Sequence, residues 1–293
     1  MEISGRTRVC GIIGDPVEHS LSPAMHNTAF QELNLDFVYV AFRVKKNELR
    51  EAILGARGLD VHGLNVTMPH KNAVMKYLDE IDPTARSIGA VNTILNDKGR
   101  LIGYNTDGAG ALTALKENDV SLEGKKLLLL GAGGAGKAIA FYAAQEVEEL
   151  KILNRTTQKA KELAEVLRKK FGKKIEGNSL SAQIIKEELE DADILINATS
   201  VGMHPDIDRS LVDPSWLRPD LCVMDIVYNP LETKLAKDAR LTGAKVVPGI
   251  EMLVYQGAAS FEIWTNHQAP VRAMKEAVLN KLSELGVHLE GKG

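Results

Sequence analysis

The stretch LLLLGAGGAGKAIA, residues 127–140, decides the fold. Four leucines in succession leave no polar face, as a strand covered on both sides requires. Gly131, Gly133 and Gly136 then set GxGxxG between that strand and a helical pattern opening at Gly134. In this setting Gly131 permits a tight turn, Gly133 lets a pyrophosphate approach the backbone, and Gly136 lets helix and strand pack closely. The helix N-terminus presents free N–H groups and partial positive charge to phosphates. The stretch reads as a dinucleotide-binding turn, with Gly131, Ala132, Gly133, Gly134 and Ala135 as its cradle. A glycine-rich turn that only tightens packing is the plainer alternative. Gly131-x4-Gly136-Lys137 also opens a phosphate loop, but that motif needs Ser or Thr next to hold magnesium, and Ala138 stands there.

The following strand, LKILNRT (150–156), bears on the cofactor. An NAD site ends this strand with an acid that bonds the ribose 2′-OH, about 20 residues after the glycines. Asn154, Arg155 and Thr156 stand there instead. An acid repels a 2′-phosphate and an arginine grips one, so the expected cofactor is NADP rather than NAD. The alternative makes Arg155 a surface charge and Thr156 a plain helix cap.

Working outward, short β-rich runs (RVCGIIG, FVYVAF, HGLNVT, VNTIL, KLLLLG, LKILN, DILINAT, LCVMDIV, AKVVPG) alternate with helical patterns. This predicts an α/β fold with largely parallel sheet. From Gly249 to Leu285 the pattern is helical with a break at 266–270, and it has no strand of its own. Such a tail must pack on something already built. The economical arrangement is a discontinuous α/β domain, residues 1–106 plus 250–293, with a Rossmann-type domain, residues 107–249, inserted in it.

The chain has 293 residues, a net charge of −3 and no long run of one sign, which argues against a nucleic-acid groove or an anionic membrane surface. Cys10 and Cys222 form no CxxC, so a disulfide framework is not expected and a reducing, cytoplasmic setting fits. MEISGRTRV lacks an apolar signal core. The scattered histidines form no HExxH and no Cys/His cluster, so no metal is expected.

Polar groups gather at several expected strand ends, which is how α/β proteins build sites. HSLSPAMHN (19–27) offers Ser20 and Ser22 before Pro23. On its own the segment reads as a capped helix, Ser22 being a good N-cap and proline suiting the first turn; a small carboxylate site is the alternative. NVTMPHK (65–71) offers Asn65, Thr67 and Lys71, the first two on one side if the strand reaches Thr67. GAVNTI offers Asn92, and GYNTDG offers Asp107, which could instead cap the helix that follows it.

Taken together, SLSPAMHN, NVTMPHK, GAVNT, NTDG, GAGGAGKA, NRT, NATSVGM, VYNPLET and GIEMLVYQGAASFEIW resemble the shikimate dehydrogenase family in order and over nearly the whole chain. The resemblance implies a substrate domain with an inserted NADP domain, and reversible reduction of 3-dehydroshikimate to shikimate with NADPH. It implies that Ser20 and Ser22 hold the substrate carboxylate, against the cap reading. It places Asn65, Thr67, Asn92, Asp107 and Gln256 at the ring hydroxyls and makes Lys71 and Asp107 the catalytic pair. Tyr228 and Gly249 are implied near the meeting of nicotinamide and substrate, with Thr199, Met203 and Met252 along the cofactor.

Hydride arriving at a ketone carbon leaves negative charge on oxygen, which a nearby ammonium stabilises and then protonates. Lys71, aimed by Asp107, suits that general-acid role. Three rivals share parts of the pattern: a quinate/shikimate dehydrogenase using NAD, a P-loop nucleotide hydrolase and a non-catalytic NADP sensor. The expected partner is a small-molecule substrate, with no nucleic acid and no membrane, in a monomer or homodimer.

Overall fold

The run RVCGIIG forms β1 (Arg8–Gly14), buried from Cys10 onward because it lies inside its sheet. The computed structural model describes residues 3–284. These form two compact units, residues 3–107 with 254–284, and residues 108–253.

In the first unit the chain continues through α1 (Ser22–Glu32), β2 (Phe37–Arg43), α2 (Leu49–Gly58), β3 (Gly63–Val66), β4 (Glu80–Ile81), α3 (Pro83–Ile88), β5 (Thr93–Asp97) and β6 (Arg100–Tyr104). The sheet order is β2-β1-β3-β5-β6-β4. β1 is parallel to β2 and β3, whereas β5 is antiparallel to β3 and to β6. β4 is parallel to β6, so the sheet is largely parallel with β5 as its reversed strand, and the cause of the reversal is local. Lys98 and Gly99 have φ of 53° and 88° and close a two-residue hairpin with Asp97 opposite Arg100. Asn96 Oδ1 accepts the Gly99 N–H at 2.8 Å and fixes the turn.

After α4 (Asp107–Lys116) the second unit holds β7 (Lys126–Leu130), α5 (Gly134–Glu146), β8 (Glu149–Asn154), α6 (Thr157–Phe171), β9 (Lys174–Ser179), α7 (Ala182–Leu189), β10 (Ile194–Asn197), β11 (Cys222–Asp225), α8 (Lys234–Leu241) and β12 (Lys245–Val247). Its strands are all parallel in the order β12-β11-β10-β7-β8-β9. Read from the other edge this is the 3-2-1-4-5-6 order of a dinucleotide-binding sheet. Leu127 to Leu130 are at most 1% exposed. Each contributes about 2 kcal/mol of burial, an upper figure because the unfolded chain is itself partly collapsed. The polar edge strand β9 is harder to see in sequence. Its Gly177 is needed because a Cβ there would lie 2.3 Å from the backbone of Ala160 in α6.

The described residues end with α9 (Gly249–Thr265) and α10 (Val271–Glu284). Trp264 near the end of α9 donates from Nε1 to the Ile94 carbonyl at 2.9 Å. A Cβ on Gly63 would lie 2.3 Å from that Nε1, so glycine makes room for the indole against β3. The helical tail therefore packs on the first sheet. The unit borders fall at 107/108 and 253/254, against sequence borders at 106/107 and 249/250. The part of the tail at 285–293 lies outside the described residues.

Candidate functional site

Each unit holds a candidate site of its own. In the first, β3 ends at Val66, and the Thr67 N–H still bonds the Ile13 carbonyl at 3.0 Å. The strand thus stops one residue earlier than expected, with the pairing carried to Thr67. The following turn is pinned at several points. The His70 N–H bonds Thr67 O at 2.9 Å, and His70 Nε2 lies 2.6 Å from the Val44 carbonyl in a buried position. The Lys71 carbonyl accepts the Val91 N–H at 2.8 Å, and Asn72 Nδ2 reaches the Gly89 carbonyl at 2.5 Å. His70 and Asn72 are thus structural guards of Lys71 on either side of it.

Lys71 Nζ donates to Asp107 Oδ2 at 2.6 Å. The other carboxylate oxygen, Oδ1, accepts from Asn92 Nδ2 at 2.8 Å. The cap reading of Asp107 is corrected, because it is Asn105 Oδ1 that accepts the Asp107 N–H, at 3.1 Å, while Asn105 Nδ2 holds the Ala90 carbonyl. Asn105 was not among the residues singled out; its place two before a helical acid was the available signal. The Asp107 carboxylate is left for Lys71 and Asn92.

Asn65 Oδ1 accepts from the Tyr39 hydroxyl at 2.6 Å, and its Nδ2 faces the Asn92 carbonyl, Thr93 Oγ1 and Ser260 Oγ at 3.1–3.3 Å. Gln256 Oε1 lies 3.4 Å from Asn92 Nδ2. Ser22 is not the N-cap. Leu21 holds that position without a side-chain cap, Ser22 is the first helical residue, and its N–H bonds Ser20 Oγ at 3.3 Å. The structure thus brings Asn65, Lys71, Asn92, Asp107 and Gln256 together through hydrogen bonds, and pairs Ser20 with Ser22 separately. No hydrogen bond links Thr67's side chain to this set among the described residues.

In the second unit, Gly131 has φ of 106°, and a Cβ on it would lie 2.8 Å from Ala198 O. Gly136 is needed because a Cβ there would sit 2.2 Å from Gly131 O. Around a Cβ on Gly133, by contrast, no atom lies within 4 Å. The space beside the N-terminus of α5 is open where a pyrophosphate would approach, and no side chain caps that helix. The residues present therefore fit a dinucleotide. Asn154 Oδ1 accepts the Ala132 N–H at 3.0 Å, and its Nδ2 donates to the Thr156 carbonyl at 3.0 Å, so Asn154 ties the glycine turn to the end of β8. Arg155 is exposed, with no ion-pair partner among the described residues. Thr156 occupies the N-cap position of α6 but makes no side-chain cap bond.

Thr199 follows β10 and donates from Oγ1 to Asn197 Oδ1 at 2.7 Å. Asn197 Nδ2 in turn holds Asp225 Oδ1 at 2.9 Å, and Asp225 Oδ2 accepts from Thr233 Oγ1 at 2.7 Å. Burial pushes the Asp225 carboxyl up to about 6, against these hydrogen bonds, which lower it. The members of this Asn197–Asp225–Thr233 chain are distant in sequence, so no local spacing marks them as a unit. Gly249 packs on the Ile226–Val227 backbone, where a Cβ would meet Val227 O at 2.4 Å. Met252 is buried, Met203 exposed and Tyr228 half-buried.

Among the described residues, no helix is long and apolar enough to cross a membrane, and no group of His, Cys, Asp and Glu could hold a metal ion.

Three family models match in chain order: shikimate dehydrogenase substrate binding domain at residues 12–94, shikimate/quinate 5-dehydrogenase at 113–229, and shikimate 5′-dehydrogenase C-terminal domain at 249–279. The NADP(+) shikimate dehydrogenase of Methanocaldococcus jannaschii is 48% identical over 96% of this chain and 100% of its own length. That of Methanopyrus kandleri is 50% identical over 96% of this chain and 98% of its own. A crystal structure of a shikimate dehydrogenase in complex with NADP+ superposes with a TM-score of 0.91 at 47% identity, over 96% of this chain and 97% of the other. The chain belongs to the shikimate dehydrogenase family.

Proposed function

We propose that the chain catalyses the reversible NADPH-dependent reduction of 3-dehydroshikimate to shikimate, with Lys71 as general acid/base and Asp107 as its partner. The observation that carries this reading is the Lys71–Asp107 hydrogen bond at 2.6 Å beside the polar ends of β3 and β5, in a chain of this family. When bound, the dinucleotide supplies the hydride that reaches the ketone carbon. In that direction the Lys71 ammonium stabilises the charge developing on the ketone oxygen and gives it a proton. The neutral amine left behind is reprotonated from solvent. In the oxidative direction the neutral amine takes the hydroxyl proton. Asp107 holds Lys71 in place throughout.

Ser20 and Ser22 bind the substrate carboxylate, the Ser20 hydroxyl accepting the Ser22 N–H and so retaining its own proton to donate. Asn65, Thr67, Asn92 and Gln256 bind the ring hydroxyls, and Tyr228 lies at the substrate. The turn Gly131–Ala135 cradles the pyrophosphate, and Asn154, Arg155 and Thr156 hold the 2′-phosphate. Thr199, Met203, Gly249 and Met252 line the rest of the cofactor. Residues 1–106 with 250–293 serve the substrate and residues 107–249 the cofactor. The enzyme acts in the cytoplasm as a monomer or homodimer. Initial rates with shikimate and with quinate, each with NADP and with NAD, test the reading. Shikimate with NADP should give the highest kcat/KM, and preference for quinate or for NAD would overturn it.

A further inference from the structure

Asn92 is surrounded on all sides. The Thr106 N–H, which can only donate, bonds Asn92 Oδ1 at 2.8 Å. That fixes the amide orientation, since the opposite orientation would set two donors against each other. Nδ2 must then face Thr106 Oγ1, at 2.9 Å, and Asp107 Oδ1, at 2.8 Å. Thr106 thus grips both ends of one amide, the oxygen by backbone and the nitrogen by hydroxyl.

The grip is backed by two further hydroxyls. Thr93 Oγ1 lies 3.0 Å from Asn92 Oδ1, 3.4 Å from Thr106 Oγ1 and 2.8 Å from Ser260 Oγ. Ser260 Oγ lies 3.2 Å from Thr106 Oγ1, and donates to the Gln256 carbonyl at 3.0 Å. Thr93 and Ser260 are fully buried and Thr106 is 4% exposed, so no solvent substitutes for a lost partner. A proton order that satisfies the set is Ser260 to Gln256 O, Thr106 to Ser260, Thr93 to Asn92 Oδ1, and Asn92 Nδ2 to Thr106 and Asp107; Thr106 Oγ1 also lies 3.2 Å from Asn92 Oδ1. A buried network whose members are all satisfied holds its side chains rigidly.

We propose that Thr106 is a positioning residue, which fixes the Asn92 amide and through it the Asp107 carboxylate against Lys71. The proposal rests on the reading that Lys71 and Asp107 carry turnover. Asn92 accordingly orients Asp107 in addition to any contact with substrate.

Thr106→Val keeps the shape and deletes the hydroxyl, while Thr106→Ser keeps the hydroxyl. Loss of one buried hydrogen bond corresponds to about a tenfold fall in kcat if it is felt in the transition state. Thr106→Val should show that fall with the KM for shikimate changed less than about threefold, and Thr106→Ser should retain wild-type kcat. In an Asn92→Ala background, Thr106→Val should cost less than about twofold, because its target is gone. A full tenfold loss in both backgrounds, equal impairment of the two Thr106 variants, or an unchanged kcat in Thr106→Val would overturn the proposal. If Thr106→Val does not fold, Ser260→Ala enters the same cycle with the same non-additivity expected. Wild-type turnover is measured first, so that failure of the functional reading shows separately. Should the wild type be inactive, exchange of the Asn92 side-chain amide protons by NMR decides the positioning claim. Slow exchange in wild type and Thr106→Ser with fast exchange in Thr106→Val supports it, and equal exchange in all three overturns it.

Discussion

Lys71 and Asp107 form a 2.6 Å ion pair whose side chains are 19% and 6% exposed. A pair this sheltered is screened little by water or salt, and its cost in desolvation needs further hydrogen bonds to offset it. Asn92 supplies one of them at Asp107 Oδ1. Asp107→Asn keeps an oxygen for Lys71 but removes the charge that aims the ammonium. We expect kcat to fall by about 100-fold with substrate KM changed only a few-fold, at the lower end of general-acid contributions. Steady-state kinetics with shikimate and NADP measures this, and an unaltered kcat would remove Asp107 from the chemistry.

Arg155 stands exposed at the end of β8, its guanidinium free of any ion pair among the described residues. A charge-assisted, two-pronged bond to a 2′-phosphate has no counterpart in NAD. Arg155→Ala should raise the KM for NADP by about tenfold and leave that for NAD where it was. Equal changes with both cofactors would assign Arg155 a general electrostatic role instead.

Gly133 and Gly136 make a paired test of the glycine turn. A methyl on Gly133 enters open space, whereas one on Gly136 lands 2.2 Å from Gly131 O. Gly133→Ala should keep the melting temperature of the ligand-free protein near that of wild type and weaken NADP binding, measured by calorimetry. Gly136→Ala should lower both. A Gly133→Ala protein that binds NADP normally would show that the space beside Gly133 is not the pyrophosphate cradle.

Asp225 sets a pH dependence of unusual sign. Burial raises its carboxyl from 3.8 to about 6 in the folded chain. Between those values the folded chain holds more protons than the unfolded one, so this group's contribution to stability falls as pH rises from about 4 to about 6. The loss approaches roughly 3 kcal/mol above the window. Asn at this position cannot ionise, so the stability of Asp225→Asn relative to wild type should climb across pH 4–6 and then level off. Urea midpoints of both proteins over that range measure it. A flat or declining difference would mean that Asp225 is ionised without penalty.

What could be read in the sequence was whatever local spacing encodes. GxGxxG after four leucines announces its strand, turn and helix because Gly136 answers a contact within a few residues, Gly131 one at the neighbouring strand end, and Gly133 leaves space open. The pairing of Lys71 with Asp107 is different: nothing in the spacing of residues 71 and 107 brings them together, and only the company of motifs pointed to it. Ser22 and Asp107 looked like helix caps because cap preference is a local rule. In the fold Leu21 takes one cap position and Asn105 serves the other. The grip on Asn92 was not legible, since Thr93, Thr106 and Ser260 meet only once the hairpin has formed and α9 has come back to the first sheet. The hairpin itself hid behind Asp97–Arg100, where two consecutive positive φ values make the turn.

We propose that Lys71 moves the proton in NADP-linked oxidation of shikimate. This role is tested most directly by comparing wild type with Lys71→Ala in a spectrophotometric assay of NADP reduction, at saturating shikimate and with folding checked by circular dichroism. Lys71→Ala should lose about 1,000-fold in kcat with KM for shikimate and NADP changed only a few-fold. Near-normal turnover by the variant, or a collapse confined to shikimate affinity, would contradict it.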